Sequence, residues 1–395
     1  MTSQTGDVTS EGGQTCLVVA FDLPPRPNAG ARRIGRLVTA AIRAFPGRVT
    51  VLAPRNSAPI DGSRALRFRA PIPRSSQSPV LRLLQEVMIG IDATVRLSLM
   101  RPDLLLISSP LFVPTLIVTW MCRRLGIRYV VDVRDPYPGV YVAADLIRPD
   151  GLVAWLLTRL VLRMYEGAAL VTAATRGLAS GVRCLSPDSR VVALRNGYSE
   201  LATASHPAAG RFTLACHGNF GAFQDVALLA DVTHLVLQRR EDVDALIIGR
   251  GPGRAQLEAV LAPQVAEGRV RILSEVPHDE MRRLLSGAHL GLSLRKDDEV
   301  SRDSFPVRVT DYLSLGLPVI ITPPSEAGRV AHRIGVGRQF DNCEAREIVR
   351  YVLDLAEEGD EYQTIRSRVE VWRPYFAQSN TMRRADDLIR WAAQS

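Results

Sequence analysis

Asp303, Arg308 and Asp311 fall within one short run, Asp303-Ser304-Phe305-Pro306-Val307-Arg308-Val309-Thr310-Asp311, which ends in the breakers Gly316 and Pro318 before an apolar strand. Ser304 is a good helix N-cap, and Pro306 suits a first turn, where a missing N–H costs nothing. The pattern predicts a helix over 305–314, with Asp303 in the loop before it and Asp311 two turns along. Gly316 ends that helix and Pro318 starts the strand. Free N–H groups of the first turn and the positive helix end can hold an anion, with Arg308 beside it. One acid would then accept hydrogen bonds from sugar hydroxyls at the helix mouth, the other from ribose hydroxyls deeper in a cleft. Both acids are equally readable as solvated charges on a helix surface.

A site of this kind needs a scaffold to aim it. Short apolar runs alternate with helix-length patterns, the signature of parallel α/β structure. Strands are predicted over 16–21, 49–53, 104–108, 129–133, 170–173 and 191–194, with helices that include 31–44 and 149–166. The stretch 199–210 is small, polar and aperiodic, and marks a domain boundary. The pattern restarts with strands over 212–217, 245–248, 270–273, 290–294 and 318–322, and helices over 225–239, 254–261, 279–286 and 305–314. The fold class is therefore α/β, with two Rossmann-like, doubly wound domains facing across a cleft, where ligands sit beyond the carboxyl ends of strands. The expected division is a disordered tail over 1–14, domains over 15–204 and 205–376, and an amphipathic helix over 377–395 that crosses back to the first domain.

At 395 residues the chain exceeds one ordinary core. Its net charge of +8 suits an anionic partner such as a nucleotide, a phosphorylated lipid or a membrane face. Lys296 is the only lysine among the 49 basic residues, a bias that fits GC-rich bacterial coding better than RNA binding. Aromatic residues reach only 6% with no aromatic–basic interleaving, which argues against a nucleic-acid binder. Cys16, Cys122, Cys184, Cys216 and Cys343 are scattered singly, so neither a disulfide frame nor a zinc site is expected, and a reducing cytoplasm is the natural compartment. The polar N-terminus shows no signal pattern. Residues 104–122 carry no charge over nearly spanning length, but Ser108-Ser109-Pro110 interrupts them, so a buried strand and an apolar helix are expected. That stretch and the basic surplus permit peripheral membrane contact. Oligomeric state is unreadable.

Further residues admit two readings each. His217, at a strand end, either faces the cleft or is a satisfied buried imidazole. Arg32, Arg33 and Arg36 on one helical turn either pair with phosphate or form a solvated basic face. Arg134 and Asp135 either orient an acceptor or form an ion pair within their domain. The Gly-Arg-Gly-Pro-Gly run over 249–253 has the wrong spacing for a dinucleotide fingerprint.

Taken as a run, residues 303–322 resemble the E-x7-E segment of family-4 GT-B glycosyltransferases. Asp303 and Asp311 stand at the two glutamate positions, and Ser304, Phe305, Gly316 and Pro318 match the rest. Pro306 replaces the usual glycine. In the same order along the chain, Gly218-Asn219 resembles the end of the donor domain's first strand, and 245–253 the turn after its second. Residues 275–281 resemble the loop whose backbone reads the base, which assigns Val276 to donor binding. Arg195-Asn196-Gly197 resembles the close of the first domain, Asp132-Val133-Arg134-Asp135-Pro136 a segment of one branch, and the loop ending at Gly30 the approach to the donor phosphates. Relatives carry basic residues where this chain has Asn219 and Gln224, so Arg308 and Arg250 would supply the positive charge.

The resemblance implies a retaining transferase that moves a sugar from a nucleotide-diphosphate sugar to a small-molecule, envelope or lipid-linked acceptor. No cofactor and no metal are implied. It makes 15–204 the acceptor domain and 205–376 the donor domain. Asp303 and Arg308 would be catalytic. Gly30, Gly218, Asn219, Arg250, Val276, Ser304, Phe305 and Asp311 would bind the donor, and Arg32, Arg134 and Asp135 the acceptor. The Asp-for-Glu changes and Pro306 equally suit a catalytically silent partner of the same fold, and a sugar-nucleotide epimerase is a third reading.

Overall fold

The computed structural model describes residues 13–24, 29–73, 78–109, 111–143, 146–198 and 210–395. The tail over 1–12, residues 25–28 of the Pro-rich approach to Gly30, Pro110, and 199–209 of the expected boundary lie outside the described residues.

The first sheet is parallel throughout, in the order β3-β2-β1-β4-β5-β6-β7. Its strands are β1 (Cys16–Val19), β2 (Val49–Ala53), β3 (Ser63–Arg67), β4 (Leu104–Ser108), β5 (Arg128–Val133), β6 (Leu170–Ala173) and β7 (Val191–Ala193). The second is also parallel, in the order β10-β9-β8-β11-β12-β13. It comprises β8 (Phe212–Asn219), β9 (Val243–Arg250), β10 (Val270–Leu273), β11 (Leu290–Leu294), β12 (Val319–Thr322) and β13 (Gly337–Gln339). Continuous apolar runs such as Leu104–Ser108 suit strands covered on both faces. Leu105 and Ile107 enter one core while Leu104 and Leu106 enter the core on the opposite face. The uncharged stretch 104–122 thus divides between β4 and the helix Phe112–Leu125. Among the described residues no helix is long and apolar enough to cross a membrane.

Five first-domain helices matter below: α1 (Ala29–Ala44), α2 (Pro79–Met100), α3 (Phe112–Leu125), α4 (Gly139–Ala143) and α5 (Leu152–Glu166). Of the three arginines in the first turns of α1, Arg33 is turned 100° from Arg32, whereas Arg32 and Arg36 share a face and are separated by one turn along the axis. Arg36 faces Asp386 of the C-terminal helix, and Arg32 faces the second domain. Arg33 is buried: its Nε and Nη2 donate to Asp132 on β5, and its Nη1 to the Leu194 carbonyl oxygen. Ser108 and Thr172 donate hydroxyl protons to the same carboxylate at 2.9 and 2.7 Å. Burial pushes the Asp132 carboxyl up, but the guanidinium and the hydroxyls outweigh it and the net shift is downward. Arg33 is therefore part of the core, not of a solvated or phosphate-binding face.

The chain crosses between domains twice, side by side. Tyr198 donates its N–H to Phe376 and accepts from the Gln378 N–H, forming a parallel bridge to Ala377. A Cβ on Gly197 would lie 2.5 Å from the Phe376 carbonyl oxygen, so glycine is needed for this approach. Beyond the crossing, Met382, Ala385, Ile389 and Ala392 join the first domain's core.

His289 carries a consequence for stability. The Thr213 N–H donates to its Nδ1 at 3.1 Å, a bond only the neutral ring accepts, and burial lowers its pKa from 6.5 to about 4. The unfolded chain takes up the proton first, so stability present above pH 6.5 falls as pH drops toward 4, by on the order of 2–3 kcal/mol. Urea melts at pH 7.5 and 5 are expected to differ less in His289→Asn, whose side-chain oxygen still accepts from Thr213 but does not titrate.

Candidate active site

A cavity of about 480 Å³ opens between the domains beyond the carboxyl ends of β8 and β9. Both strands end in glycine-containing turns. Gly218 has φ +125°, and a Cβ there would lie 2.7 Å from an Arg308 nitrogen, so the guanidinium rests directly over its Cα. A Cβ on Gly249 would overlap the Gly218 carbonyl oxygen. Glycine at both positions lets the strand ends close up and leaves the floor open to a ligand.

Arg308 comes from the first turn of the helix Val307–Ser314. Its Nη1 donates to Gln224 Oε1 at 2.6 Å, and Gln224 in turn donates to the Leu294 carbonyl oxygen. Gln224, expected only as a missing basic residue, thus fixes the direction of the nearby cation. Arg295, just past β11, shares the cavity wall. Burial first, and then Arg308 beside it, lower the Arg295 pKa to about 10, which still leaves it charged at neutral pH. Two guanidiniums held together against their own repulsion make the cavity a strong receptor for an anion.

Asp311 lies one turn farther along the helix, 4% exposed. Arg32 Nη2, His217 Nε2 and His278 Nε2 each stand 3.7 Å from one of its oxygens. That is too long for a hydrogen bond but close enough for the charges to act. Burial pushes the carboxyl up, yet His278, Arg32 and His217 outweigh it, and the net is lowered. His217 is held down to about 4, chiefly by burial and also by the Arg308 charge, although Asp311 pulls the other way. At neutral pH the pocket therefore holds a carboxylate, a neutral His217 and the Arg32 cation. Nε2 of both histidines is buried without a hydrogen-bond partner, leaving polar atoms for a ligand to satisfy.

The cavity brings together Arg32, Gly218, Asn219, Arg250, Val276, Arg308 and Asp311 among the residues expected from sequence. Arg250 stands at the rim, largely exposed and paired with Glu275 at 3.1 Å, so Arg295 takes the interior position. Gly30 lies in α1 against the Arg134 guanidinium. The Asp135 carboxyl is pushed up by burial, with Arg134 and Arg295 opposing. Neither Arg134 nor Asp135 lines the cavity.

Three expectations around the helix start are revised. Ser304 is not its N-cap: a short helix, Glu299–Arg302, precedes it, and the chain needs 303–306 to turn before Val307, with Pro306 at the cap position. The Ser304 hydroxyl instead donates to the Ser301 carbonyl oxygen and accepts from Arg295. Phe305 is buried against Phe376 in the second domain's core. Asp303 lines a separate cavity of about 420 Å³ with Arg176, Arg195 and Glu326, its carboxylate close against Gly177 of the first domain. There Glu326 bridges the domains, accepting from Arg195 Nε at 2.6 Å and from the Gly177 N–H at 3.0 Å. His278, Arg295 and Glu326 were not anticipated. Arg295 follows a strand directly, at the end where ligands bind, and that position was its available signal.

Comparison with known proteins agrees with the architecture. Residues 28–197 match the Glycosyl transferase 4-like domain, and residues 211–358 match Glycosyl transferases group 1. No curated protein matches in sequence. HepE of Anabaena, solved in complex with UDP and glucose, is 14% identical with a TM-score of 0.66, covering 93% of this chain and 97% of that one. Sucrose-phosphate synthase of Thermosynechococcus elongatus is 13% identical with a TM-score of 0.66, covering 92% and 96%. WaaG, a glycosyltransferase involved in lipopolysaccharide biosynthesis, is 13% identical with a TM-score of 0.63, covering 94% and 99%. With a family match on each domain and two Rossmann-like sheets meeting at a cationic cleft, the chain belongs to the glycosyltransferases of the GT-B fold.

Proposed function

We propose that the chain transfers a sugar from a nucleoside diphosphate sugar to an acceptor hydroxyl, with retention at the anomeric carbon and without a metal ion. The observation that carries this is one interdomain cavity holding both a guanidinium pair, Arg308 and Arg295, and the buried Asp311 carboxylate. As the anomeric C–O bond breaks, charge develops on the leaving diphosphate, and two oriented guanidiniums in a partly dry site stabilise it where it forms. They take the neutralising role a metal would otherwise fill. Asp311, an acceptor-only group flanked by cations, is suited to receive hydrogen bonds from ribose hydroxyls. The acceptor hydroxyl forms the new C–O bond on the face the phosphate leaves, and its proton goes to a phosphate oxygen. Arg32, which lines the same cavity from the first domain, is assigned the acceptor side, whereas Asp303 turns into the separate cavity and Arg134 and Asp135 lie outside this one, so none of the three is assigned a substrate contact.

The test is a thermal-shift panel of UDP, GDP, dTDP, ADP and CDP in EDTA, on wild type and Asp311→Asn. One base is expected to raise the melting temperature, and the substitution to weaken that shift by about tenfold in Kd, the worth of one charge-assisted hydrogen bond. No shift with any base, or a shift untouched by the substitution, overturns the placement of the nucleotide. Binding without turnover on any acceptor would instead favour the silent-partner reading, and turnover without acceptor the epimerase.

A further inference from the structure

Helices α2, α3 and α5 form the layer covering one face of the first sheet, and their buried sides supply Ile89, Val118 and Val161 to its core. Their outer sides are unusually apolar. On α2, Val80, Leu84, Met88, Ile91, Val95 and Leu99 are all exposed, Leu99 by 81%. They recur every three or four residues and so make one stripe along the 22-residue helix. On α5, Leu152 is 78% exposed, beside Val153, Trp155 and Leu156, and α3 adds Trp120. A soluble monomer rarely shows so much contiguous apolar surface without a partner.

The charges on this layer decide which partner. The three helices carry six arginines against three acids. Two of those acids are tucked away, Glu86 beneath Arg82 and Asp92 against Arg96. The third, Glu166, ends α5. Arg124 and Arg159 lie over the exposed Trp120 and Trp155 rings, so cations and aromatics share the surface. A groove of about 550 Å³ between α3 and α5 gathers Arg123, Arg124 and Arg163 around Leu116 and Leu160. A second copy of the chain would bring arginines against arginines. Apolar side chains that insert and arginines that meet headgroup phosphates match an anionic bilayer.

We propose that the outer face of α2, α3 and α5 docks on the surface of an anionic lipid bilayer. The face reaches the cleft. Because the sheet is parallel, its connecting helices run against the strands, and the amino ends of α2 and α5 lie at the same edge as the interdomain cavity. Leu146, 63% exposed, lies beside α4, its N–H bonded to the Tyr141 carbonyl oxygen, and α4 packs on the helix Glu299–Arg302 across the cleft. Docked in this way, the protein holds its cleft near the headgroups, where an acceptor with a lipid anchor would present its hydroxyl. That second step rests on the proposed sugar transfer, whereas docking does not.

The test is therefore made without substrate, on the full chain. Sedimentation with phosphatidylcholine vesicles, with and without phosphatidylglycerol, is expected to show binding that strengthens about tenfold or more with the anionic lipid. It should weaken as salt rises from about 0.05 to about 0.5 M. Brominated acyl chains should quench Trp120 and Trp155 fluorescence, and Trp155→Phe should remove part of that signal. Leu84→Glu with Ile91→Glu and Leu152→Glu, all at exposed positions, should abolish binding while leaving the melting temperature and the nucleotide-induced shift in place. The proposal is overturned if vesicles of neither composition bind, if neutral and anionic vesicles bind alike at all salt, or if the triple variant binds as wild type does. Light scattering that shows a dimer broken by the same triple variant would reassign the face to self-association and overturn it equally.

Discussion

Arg308→Ala is expected to lower kcat by about 10²–10³-fold, with a smaller rise in KM for the donor. This is the range for removing one oriented donor from developing transition-state charge. In the proposed transfer Arg295 would already partly neutralise the ground-state diphosphate, so what Arg308 adds would grow as the bond breaks. Arg308→Lys separates charge from geometry. It keeps the cation but loses the planar fork that Gln224 Oε1 fixes at 2.6 Å, so an intermediate kcat is expected. Gln224→Ala should move kcat in the same direction as Arg308→Lys and leave donor affinity nearly unchanged, because Gln224 acts by aiming the guanidinium. Steady-state kinetics with the donor found in the nucleotide panel checks all three. Equal losses in kcat/KM from KM alone would place Arg308 in ground-state binding only.

Arg33→Met is expected to destabilise the first domain by about 3–5 kcal/mol, because it strands the Asp132 carboxylate in the core. The two side chains are 1% and 0% exposed and make a bidentate pair. Ser108 and Thr172 hydroxyls cannot replace a full positive charge in that environment. The melting temperature should fall by roughly 10 °C for a domain of this size. Asp132→Asn alone should also destabilise, by leaving the guanidinium unpaired. The double variant Arg33→Met with Asp132→Asn should recover much of the loss, since both buried charges are then gone. Additive losses would mean that the pair contributes nothing as a pair. Urea denaturation of the four proteins at pH 7.5 measures the coupling directly.

Much of the scaffold was legible because parallel strands covered on both faces are written as unbroken apolar runs. β2, β4, β6 and β11 fall on their expected residues for that reason. The strands that escaped are edges. β3 reads Ser-Arg-Ala-Leu-Arg, with little to bury, and β13 is three residues long, so in both the pairing with a neighbour defines the strand and the side chains do not. α2 was not anticipated either: large apolar side chains such as Leu84, Met88 and Ile91 lie on its outer side while Ile89 and Leu97 lie on its inner one, which blurs the periodicity that marks a helix.

At the site, Asp311 and Arg308 were legible from a breaker-bounded helix with a cation in its first turn. Asp303 was legible as a neighbour of that helix, but sequence spacing cannot say into which of two cavities a loop side chain turns. Arg33 shows the converse limit. Three arginines in one turn look alike in sequence, and only the packing of α1 onto β5 and onto the C-terminal helix sends them to a core acid, a surface acid and the cleft.

The paired crossing at Tyr198 and Ala377 has a mechanical meaning. Two chain segments hydrogen-bonded side by side define a line, and rotation of one domain about that line stretches neither of them. Motions that shear or slide the domains would have to break the bridge and the close contact at Gly197. The bridge therefore favours a swing about that line, like a door on its hinge, over sliding. The Arg195–Glu326–Gly177 contact lies close to that line, with Arg195 two residues from Gly197 and reaching Tyr375, so it braces the pivot itself.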